Sequence, residues 1–436
     1  MTLTKTHPAL FRMAFSQALF VITGLFFLIS AGLAPARAQI APFIQAIAEA
    51  AAKDDVIAGF YRDRGYRSFW TGTGDADRRA AFLSVLARAG DHGLPVQRYD
   101  APVLIAAFHA TRTEGDRGRL EVRMTRALLD YARDIQTGAL VPARIDPGIV
   151  REVAVRDRRG NLDGFNAAPA AFLAALPPRS PDYTLLLRAK LRLEQKIAQG
   201  GWGPTVGAAS LKPGQSGDPV IALRDRLIAM GYLRRNSSRD YDGAIQQAVQ
   251  DFQVNHGLDA DGIADESTLA EINIGPQARL QSIVVALERQ RWLNIDRGRR
   301  HIWVNLADFS AKIIDDGKVT FSTRSVIGKN DPDRRSPEFS DVMEYMVINP
   351  TWNVPRSITV KEYLPLMQRN PNAAGHLKLI DSKGRVVNRG AVDFSQYTAR
   401  NFPFAMRQPP SDGNALGLVK FMFPNPWNIY LHDTPS

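Results

Sequence analysis

The 436-residue sequence contains no cysteine, and this absence excludes three kinds of structure. Disulfide bonds cannot form, so packing alone has to stabilise the fold. Zinc sites with cysteine ligands and iron–sulfur clusters are excluded for the same reason. The seven histidines show no close His-x-x-x-His pair of the kind that would suggest another metal site. We therefore expect no metal and no other cofactor.

Long apolar runs are also scarce, since one segment alone approaches the length of a membrane span. It covers residues 14–33, follows Lys5 and Arg12, and precedes the small-x-small sequence Ala36-Arg37-Ala38. This order is typical of a secretory signal peptide, so residues 1–38 are predicted to be removed on export to the periplasm. An uncleaved anchor in the inner membrane is the alternative that the apolar length leaves open.

Acidic residues are absent from this N-terminal segment and are outnumbered in the whole chain. The sequence has 55 Lys and Arg against 44 Asp and Glu, a formal net charge of +11. Residues 1–38 carry three basic residues, so cleavage leaves 11 − 3 = +8. An exported basic protein meets anionic polymers or lipids of the envelope rather than nucleic acid. Scattered arginines that keep the protein soluble explain the charge equally well.

The residues that are present predict a multidomain α+β protein. Residues 39–210 are rich in Ala, Leu and Arg at helical spacing and end in a Gly-rich linker, which predicts a helical domain. Residues 211–275 predict a small three-helix bundle, and residues 276–298 a helix that returns to the first domain. From 299 to 436, short β-rich runs separated by turns, among them 302–305, 311–314, 321–327 and 345–348, predict a mainly-β domain. An insertion at about 361–410 interrupts it.

The end of the sequence predicts a β-hairpin. Residues 419–423 alternate Val, Phe and Phe with Lys and Met, Pro424-Asn425-Pro426 turns the chain, and residues 429–431 return as a second strand. His432 then stands at a strand end, and Tyr430 faces the same side because side chains alternate along a strand. On these grounds alone, a single histidine is more often structural than catalytic.

Two segments of this hairpin resemble the large Gram-negative L,D-transpeptidases of peptidoglycan: residues 414–425 (Asn-Ala-Leu-Gly-x-Val-Lys-Phe-x-Phe-Pro-Asn) and 429–435 (Ile-Tyr-Leu-His-Asp-Thr-Pro). Three earlier segments are similar to the same family in order, namely 326–329 (Val-Ile-Gly-Lys), 336–339 (Ser-Pro-Glu-Phe) and 348–355 (Ile-Asn-Pro-Thr-Trp-Asn-Val-Pro). The resemblance implies that the helical domain is a scaffold domain and the bundle a peptidoglycan-binding domain. It also implies that the β domain is catalytic and that the insertion caps its active site, where a decorative loop is the alternative.

The resemblance also implies roles for individual residues. His432 would be the general base for a cysteine nucleophile, and Tyr430 would line the acyl site. Trp352 would border the cleft, with a plain core aromatic as the alternative. In the family the cysteine belongs to a Ser-His-Gly-Cys motif a short way downstream of this histidine. We therefore expect the nucleophile to lie beyond Ser436, the catalytic domain to be partial, and the fragment by itself to be inactive.

The activity implied by the resemblance is the formation of 3→3 cross-links between peptidoglycan stem peptides through a cysteine acyl-enzyme. The expected partners are stem peptides and glycan, with no nucleic acid. The main alternative is a non-catalytic peptidoglycan-binding protein of the envelope that keeps the scaffold and the binding domain. A hydrolase is a third possibility, because hydrolysis and cross-linking proceed through the same acyl-enzyme.

Overall fold

The computed structural model describes residues 41–331 and 334–434, so the predicted signal peptide and its anchor alternative lie outside the described residues. The described residues form two compact units, one of residues 41–141 and 152–296 and the other of residues 142–151 and 297–434. In chain order the α-helices are α1 (Pro42–Ala51), α2 (Asp55–Asp63), α3 (Ala76–Ala87), α4 (Val96–Tyr99), α5 (Ala101–Ala110), α6 (Glu114–Thr137), α7 (Pro142–Ile145), α8 (Arg158–Ala167), α9 (Pro169–Ala175), α10 (Pro181–Ala198), α11 (Asp218–Met230), α12 (Gly243–His256), α13 (Glu266–Ile272), α14 (Pro276–Trp292), α15 (Arg356–Ile358) and α16 (Leu364–Arg369). No helix in the described part of the chain is both long and apolar enough to cross a membrane.

Helix α6 is the longest of the first unit and packs against α1, α2, α5, α8 and α14. It begins with a capping box, in which Thr113 accepts a hydrogen bond from the Asp116 amide and Asp116 accepts one from the Thr113 amide. It ends at Gly138, whose φ of +95° an L side chain rarely adopts. The apolar residues that the sequence shows at helical spacing are all buried: Leu120, Met124, Leu128, Tyr131 and Ile135. The amphipathic pattern of this helix is therefore confirmed.

A buried carboxylate fixes the loop that precedes α3. The Glu121 side chain accepts hydrogen bonds from the backbone amides of Phe69 (2.9 Å), Trp70 (3.1 Å) and Thr71 (2.8 Å). It also accepts one from the Tyr61 hydroxyl at 2.9 Å. These donors compensate the burial of the charge and hold the Phe69 and Trp70 rings inside the core.

Helices α11, α12 and α13 surround a separate apolar core that includes Val220, Leu227, Val249, Phe252 and Leu269. Asp242 caps α12 by accepting from the Ile245 amide, and Asp265 caps α13 by accepting from the Thr268 amide. The buried Arg226 donates to backbone carbonyls of the preceding linker and to those of Ile272 and Ile274 at the end of α13. The linker is therefore bound to the three-helix bundle.

Helix α14 follows the bundle and packs against α10 and α6. Its buried Glu288 accepts a hydrogen bond from the Leu140 amide at 2.8 Å and pairs with Arg291 at 2.9 Å. Arg291 in turn donates to the carbonyl of His92 and to the Tyr183 hydroxyl. Buried polar contacts thus connect this helix to the helices before the bundle.

The second unit consists mainly of short antiparallel strands in three sheets. Their order is β1-β2-β3 in the first sheet, β10-β9-β4 in the second and β5-β8-β6-β7 in the third. The strands are β1 (Arg300–Asn305), β2 (Ser310–Asp315), β3 (Lys318–Arg324), β4 (Tyr345–Ile348), β5 (Trp352–Asn353), β6 (Lys378–Ile380), β7 (Val386–Val387), β8 (Ala405–Gln408), β9 (Val419–Met422) and β10 (Leu431–His432). A helical N-terminal part followed by a mainly-β part confirms the predicted fold class.

The β-rich run at 321–327 differs from the strand that the structure contains. Strand β3 begins at Lys318 and ends at Arg324. Arg324 pairs with Ser310, which is the first residue of β2. The residues after Arg324 therefore have no partner in β2, and β3 ends there. The Ser325 amide bonds the carbonyl of Phe309, and Val326 is 86% exposed.

The insertion at about 361–410 packs around an apolar core that it shares with Val354, which precedes it. Leu364, Met367, Leu379, Phe394 and Met406 are buried together. The guanidinium of Arg389 holds the surrounding loop by donating to the carbonyls of Ala373, Ala374 and Leu377. Strands β6, β7 and β8 are two to four residues long. Strands β6 and β8 contain one β-branched residue between them and no aromatic residue, and β7 is two residues long, which is why the sequence pattern missed them.

Candidate active site

The C-terminal hairpin places His432 on a three-stranded sheet. His432 pairs with Lys420 of β9, and Lys420 pairs on its other side with Val347 of β4. These three residues therefore form one row across the sheet. The side chain of His432 is exposed, so a substrate or a second catalytic group can reach it.

Asn425 builds the turn of the hairpin. Its side-chain oxygen accepts from the amides of Trp427 and Ile429, both at 3.1 Å, and its side-chain nitrogen donates to the carbonyls of Phe423 (2.7 Å) and Ile429 (2.6 Å). Both backbone groups of Ile429 are thus occupied by Asn425. This explains a correction to the predicted second strand, which is Leu431–His432 rather than residues 429–431.

A close contact at Gly417 fixes the chain just after His432. Gly417 has a φ of +63°, and a Cβ atom built on it would lie 2.6 Å from Cβ of Asp433. Its amide is bonded to the carbonyl of Asn414. The fully buried Asn414 donates to the carbonyls of Pro350 (3.1 Å) and Pro409 (2.9 Å). The segment after His432 therefore rests on a glycine that is held in place by a buried amide.

The hydrogen bond of His432 defines its tautomer. Nδ1 lies 2.7 Å from the backbone carbonyl oxygen of Asp433. Because a carbonyl oxygen only accepts, Nδ1 has to carry the proton, and in the neutral ring Nε2 then carries the lone pair. Nε2 is the atom that can take a proton from a neighbouring thiol or hydroxyl. This geometry suits a general base.

Lys420 and Tyr430 flank His432 on the same face of the sheet. The Lys420 ammonium lies 3.6 Å from the centroid of the Tyr430 ring, a cation–π contact. Burial lowers the pKa of Lys420 below its ordinary value. The sequence analysis did not select Lys420, although its alternation with Val419 and Phe421 places it opposite His432. The structure thus brings together Tyr430, His432 and one residue that was missed.

Trp352 lies elsewhere in the second unit. It belongs to β5, pairs with Gln408, and packs its half-buried ring edge-on against Tyr363 at 6.4 Å between centroids. These contacts are part of the core of the insertion. The position agrees with the alternative that Trp352 is a packing residue, and its role at a cleft stays a prediction.

A pocket of about 560 Å³ opens beside the hairpin turn. Its lining residues are Pro147, Gly148, Val150, Asn330, Asp331, Arg335, Pro337 and Trp427. The Trp427 ring in the turn packs on Phe339 at 4.8 Å between centroids. Over residues 41–331 and 334–434 the structure shows no group of three His, Asp or Glu side chains that could hold a metal ion.

Three parts of the chain match protein-family models. Residues 55–189 match a model described as "Scaffold domain". Residues 216–272 match "Putative peptidoglycan binding domain", and residues 299–436 match "L,D-transpeptidase catalytic domain". The hairpin that carries His432 lies inside the third match.

A curated protein of Haemophilus influenzae (strain ATCC 51907 / DSM 11121 / KW20 / Rd) named "Putative L,D-transpeptidase" is 32% identical to this chain over 154 residues. The matched residues are 35% of this chain and 31% of the relative. The chain thus spans about a third of the length of the curated relative it matches.

Proposed function

We propose that the protein forms 3→3 cross-links between peptidoglycan stem peptides. The chain carries a scaffold domain, a peptidoglycan-binding domain and a catalytic domain of the L,D-transpeptidase family, and these domains support the proposal. The reaction runs through a cysteine acyl-enzyme in which His432 is the general base. The 436 residues hold no cysteine, so the proposed nucleophile has to come from residues outside them. The protein acts in the periplasm, where peptidoglycan is accessible.

The hydrogen bond from Nδ1 of His432 to the carbonyl of Asp433 is the observation that carries this proposal. It leaves Nε2 free to accept the proton of a cysteine thiol. A free thiol has a pKa of about 8.5 and is ionised to only a few per cent at neutral pH, so a base within hydrogen-bond reach is needed.

In the first half-reaction the thiolate sulfur attacks the carbonyl carbon between the diamino acid at position three and the terminal D-alanine of a tetrapeptide stem. The carbon–nitrogen bond breaks, and D-alanine leaves as an amine that takes the proton held by His432. In the second half-reaction an amine of another stem attacks the thioester carbon and the carbon–sulfur bond breaks. The proton of that amine returns through His432 to the sulfur. One amide bond replaces another, so no ATP is consumed.

The neighbours of His432 have proposed supporting roles. Tyr430 shares a face with His432 and lines the acyl site, where its ring is fixed by the ammonium of Lys420. Trp352 and the insertion around it border the substrate on the other side. The insertion packs around a buried core, and we propose that it acts as a cap that excludes water from the thioester and favours attack by an amine over hydrolysis.

A second candidate function is a non-catalytic envelope protein that binds peptidoglycan through its three-helix bundle. The observation in its favour is the absence of cysteine from all 436 residues. The bundle is a complete unit with its own core and capped helices, so it can bind the wall without any chemistry at the hairpin.

One experiment separates the two functions. The reading frame is sequenced beyond the codon for Ser436, and the extended protein is incubated with disaccharide-tetrapeptides from peptidoglycan. The products are then separated by chromatography and identified by mass spectrometry. We expect a cysteine soon after Ser436, free D-alanine, and dimers joined between two diamino acids. Tripeptides without dimers would instead identify a hydrolase.

The 436-residue chain is the matched control. It is expected to bind purified sacculi and to release no D-alanine, because it lacks the nucleophile. If the frame stops at Ser436, or if the extended protein binds sacculi without any turnover, the transpeptidase proposal is wrong and the binding function replaces it.

A further inference from the structure

The first unit contains a cavity of about 450 Å³ that the proposed chemistry does not use. It lies between α3 and α9, and Tyr131 of α6 is among its lining residues. One end is formed by Arg88, Asp91 and His92, at and after the C-terminus of α3. Small apolar side chains form most of the remaining wall: Ala81, Val85, Ala170, Leu173, Ala174 and Pro177. The cavity is thus apolar along its sides and polar at one end.

Tyr131 brings a hydroxyl group to this cavity. The residue is 1% exposed, and among the described residues its hydroxyl has no hydrogen-bond partner. The ring is held edge-on by Tyr99 at 5.6 Å and by Phe82 at 6.5 Å between centroids. The hydroxyl is not among the fully buried side-chain atoms that lack a partner, so it is open to the cavity. A group that enters the cavity can supply a partner.

His92 presents a second hydrogen-bond donor. Tyr183 accepts a hydrogen bond from Arg291, and its hydroxyl lies 3.0 Å from Nδ1 of His92, to which it can donate its own proton. Burial and the nearby Arg291 cation lower the pKa of His92 to about 4, which keeps the ring neutral at pH 7. A neutral ring that accepts at Nδ1 carries its proton on Nε2. Nε2 is therefore a donor available to a ligand.

Arg88 and Asp91 carry opposite charges at the same end of the cavity and form no ion pair with each other. Nε of Arg88 donates to the Ser84 carbonyl at 3.4 Å, which leaves its two terminal nitrogens available. Within residues 41–331 and 334–434, neither Arg88 nor Asp91 has an ion-pair partner. A ligand that carries both a carboxylate and an ammonium group would satisfy both charges at once.

We propose that this cavity of the scaffold domain is a binding site for a short zwitterionic peptide with small aliphatic side chains. Its carboxylate binds Arg88, with help from the Tyr131 hydroxyl and Nε2 of His92, and its ammonium group faces Asp91. The aliphatic side chains lie along the Ala, Val and Leu wall. The site goes beyond the proposed catalytic function and rests on the groups of the cavity alone, although stem peptides are one source of such a ligand.

Isothermal titration calorimetry of the 436-residue chain with D-alanyl-D-alanine tests the site. We expect saturable binding with one site per chain. Arg88→Gln is expected to weaken it about tenfold, which is the effect of losing one charge-assisted hydrogen bond. Tyr131→Phe keeps the ring in the core and is expected to weaken binding about fivefold. The N-acetylated dipeptide lacks the ammonium group and should also bind more weakly.

Arg192→Gln is the matched control. Arg192 is an exposed arginine of α10 whose Nε bonds the carbonyl of Arg188 four residues earlier, as Arg88 bonds Ser84. Its substitution removes the same charge outside the cavity and should leave binding unchanged. Thermal melting of each variant shows whether the fold is retained.

Three results would overturn the proposal: no saturable binding, binding unchanged in both Arg88→Gln and Tyr131→Phe, or equal affinity for the acetylated dipeptide. The second result would mean that the peptide binds another part of the chain. The titration involves no covalent step, so its outcome is independent of whether the hairpin takes part in cysteine chemistry.

Discussion

The core of the helical unit and the strands of the β unit differ in how far their apolar side chains are buried. In the helical unit Phe69 and Trp70 are completely buried. In the β unit Phe321 is 55% exposed and Ile348 is 72% exposed, and every residue of β3 is exposed. Strands β3 and β4 are therefore held by pairing more than by a core, and β4 belongs to the sheet that carries His432.

This difference shows which contacts fix the position of His432. The side chain is exposed and pairs across the sheet with Lys420, while the turn before it depends on the amide of Asn425. The residue after it rests on Gly417. The helical unit instead has a large buried core with a buried glutamate inside it. Substitutions in the two units should accordingly have different consequences.

The largest expected effect on stability comes from a matched pair of phenylalanine substitutions, one in each unit. Phe69→Ala empties a position in the buried aromatic cluster and is expected to lower the free energy of unfolding by about 3–5 kcal/mol. Phe321→Ala removes a ring that is already half in solvent and should cost about 0.5 kcal/mol or less. Urea unfolding of both variants measures the difference. Equal losses would mean that β3 is as well packed as the helical core.

The next largest expected effect is a loss of stability at low pH that comes from the helical unit. The pKa of His92 is about 4 in the folded chain against 6.5 without burial, so the unfolded chain takes up a proton first as the pH falls. The contribution of His92 to stability is therefore complete above pH 6.5 and is lost between pH 6.5 and 4, by up to about 3 kcal/mol. Urea unfolding across this range should show the slope in the wild type.

His92→Gln does not titrate and should remove most of that slope; the remainder belongs to His256, whose pKa is also lowered by burial. His376→Gln should keep the slope, since His376 is exposed in the insertion. A slope in His92→Gln equal to that of the wild type would assign the acid sensitivity to another group.

The smallest expected effect on stability comes from a glycine substitution next to the C-terminal hairpin. Gly417→Ala introduces a Cβ atom 2.6 Å from Asp433 at a φ of +63° and is expected to cost about 1–2 kcal/mol. It should also move the carbonyl of Asp433 away from His432 and reduce the population with a proton on Nδ1. Nitrogen NMR of labelled histidine measures that population. Gly413→Ala, where a Cβ atom meets nothing within 4 Å, is the control and should leave the spectrum unchanged.

The sequence predicted well what depends on local periodicity. Leu120 to Ile135 and the apolar positions of the three-helix bundle recur at helical spacing, and the structure buries them. Strands β1, β2, β4 and β9 were also identified, because each is at least four residues long and contains at least two β-branched or aromatic residues.

The parts that the sequence did not predict depend on contacts between distant residues. The second strand of the hairpin is displaced because Asn425 occupies the backbone of Ile429, and no pattern shows that competition. The core of the insertion joins Leu364 to Met406 across about forty residues. The cavity beside Tyr131 requires α3, α6 and α9 to meet, and its unpaired Arg88 and Asp91 look like ordinary surface charges in the sequence.

The rate of acyl-enzyme formation tests the central claim most directly. The extended protein is mixed with a tetrapeptide stem, and intact-mass spectrometry follows the covalent intermediate with time in the wild type, in His432→Gln and in His376→Gln. We predict acylation at the wild-type rate in His376→Gln and at least about a hundredfold slower acylation in His432→Gln, as expected for the loss of a general base. Equal rates in the two variants would contradict the assignment of His432 as the base.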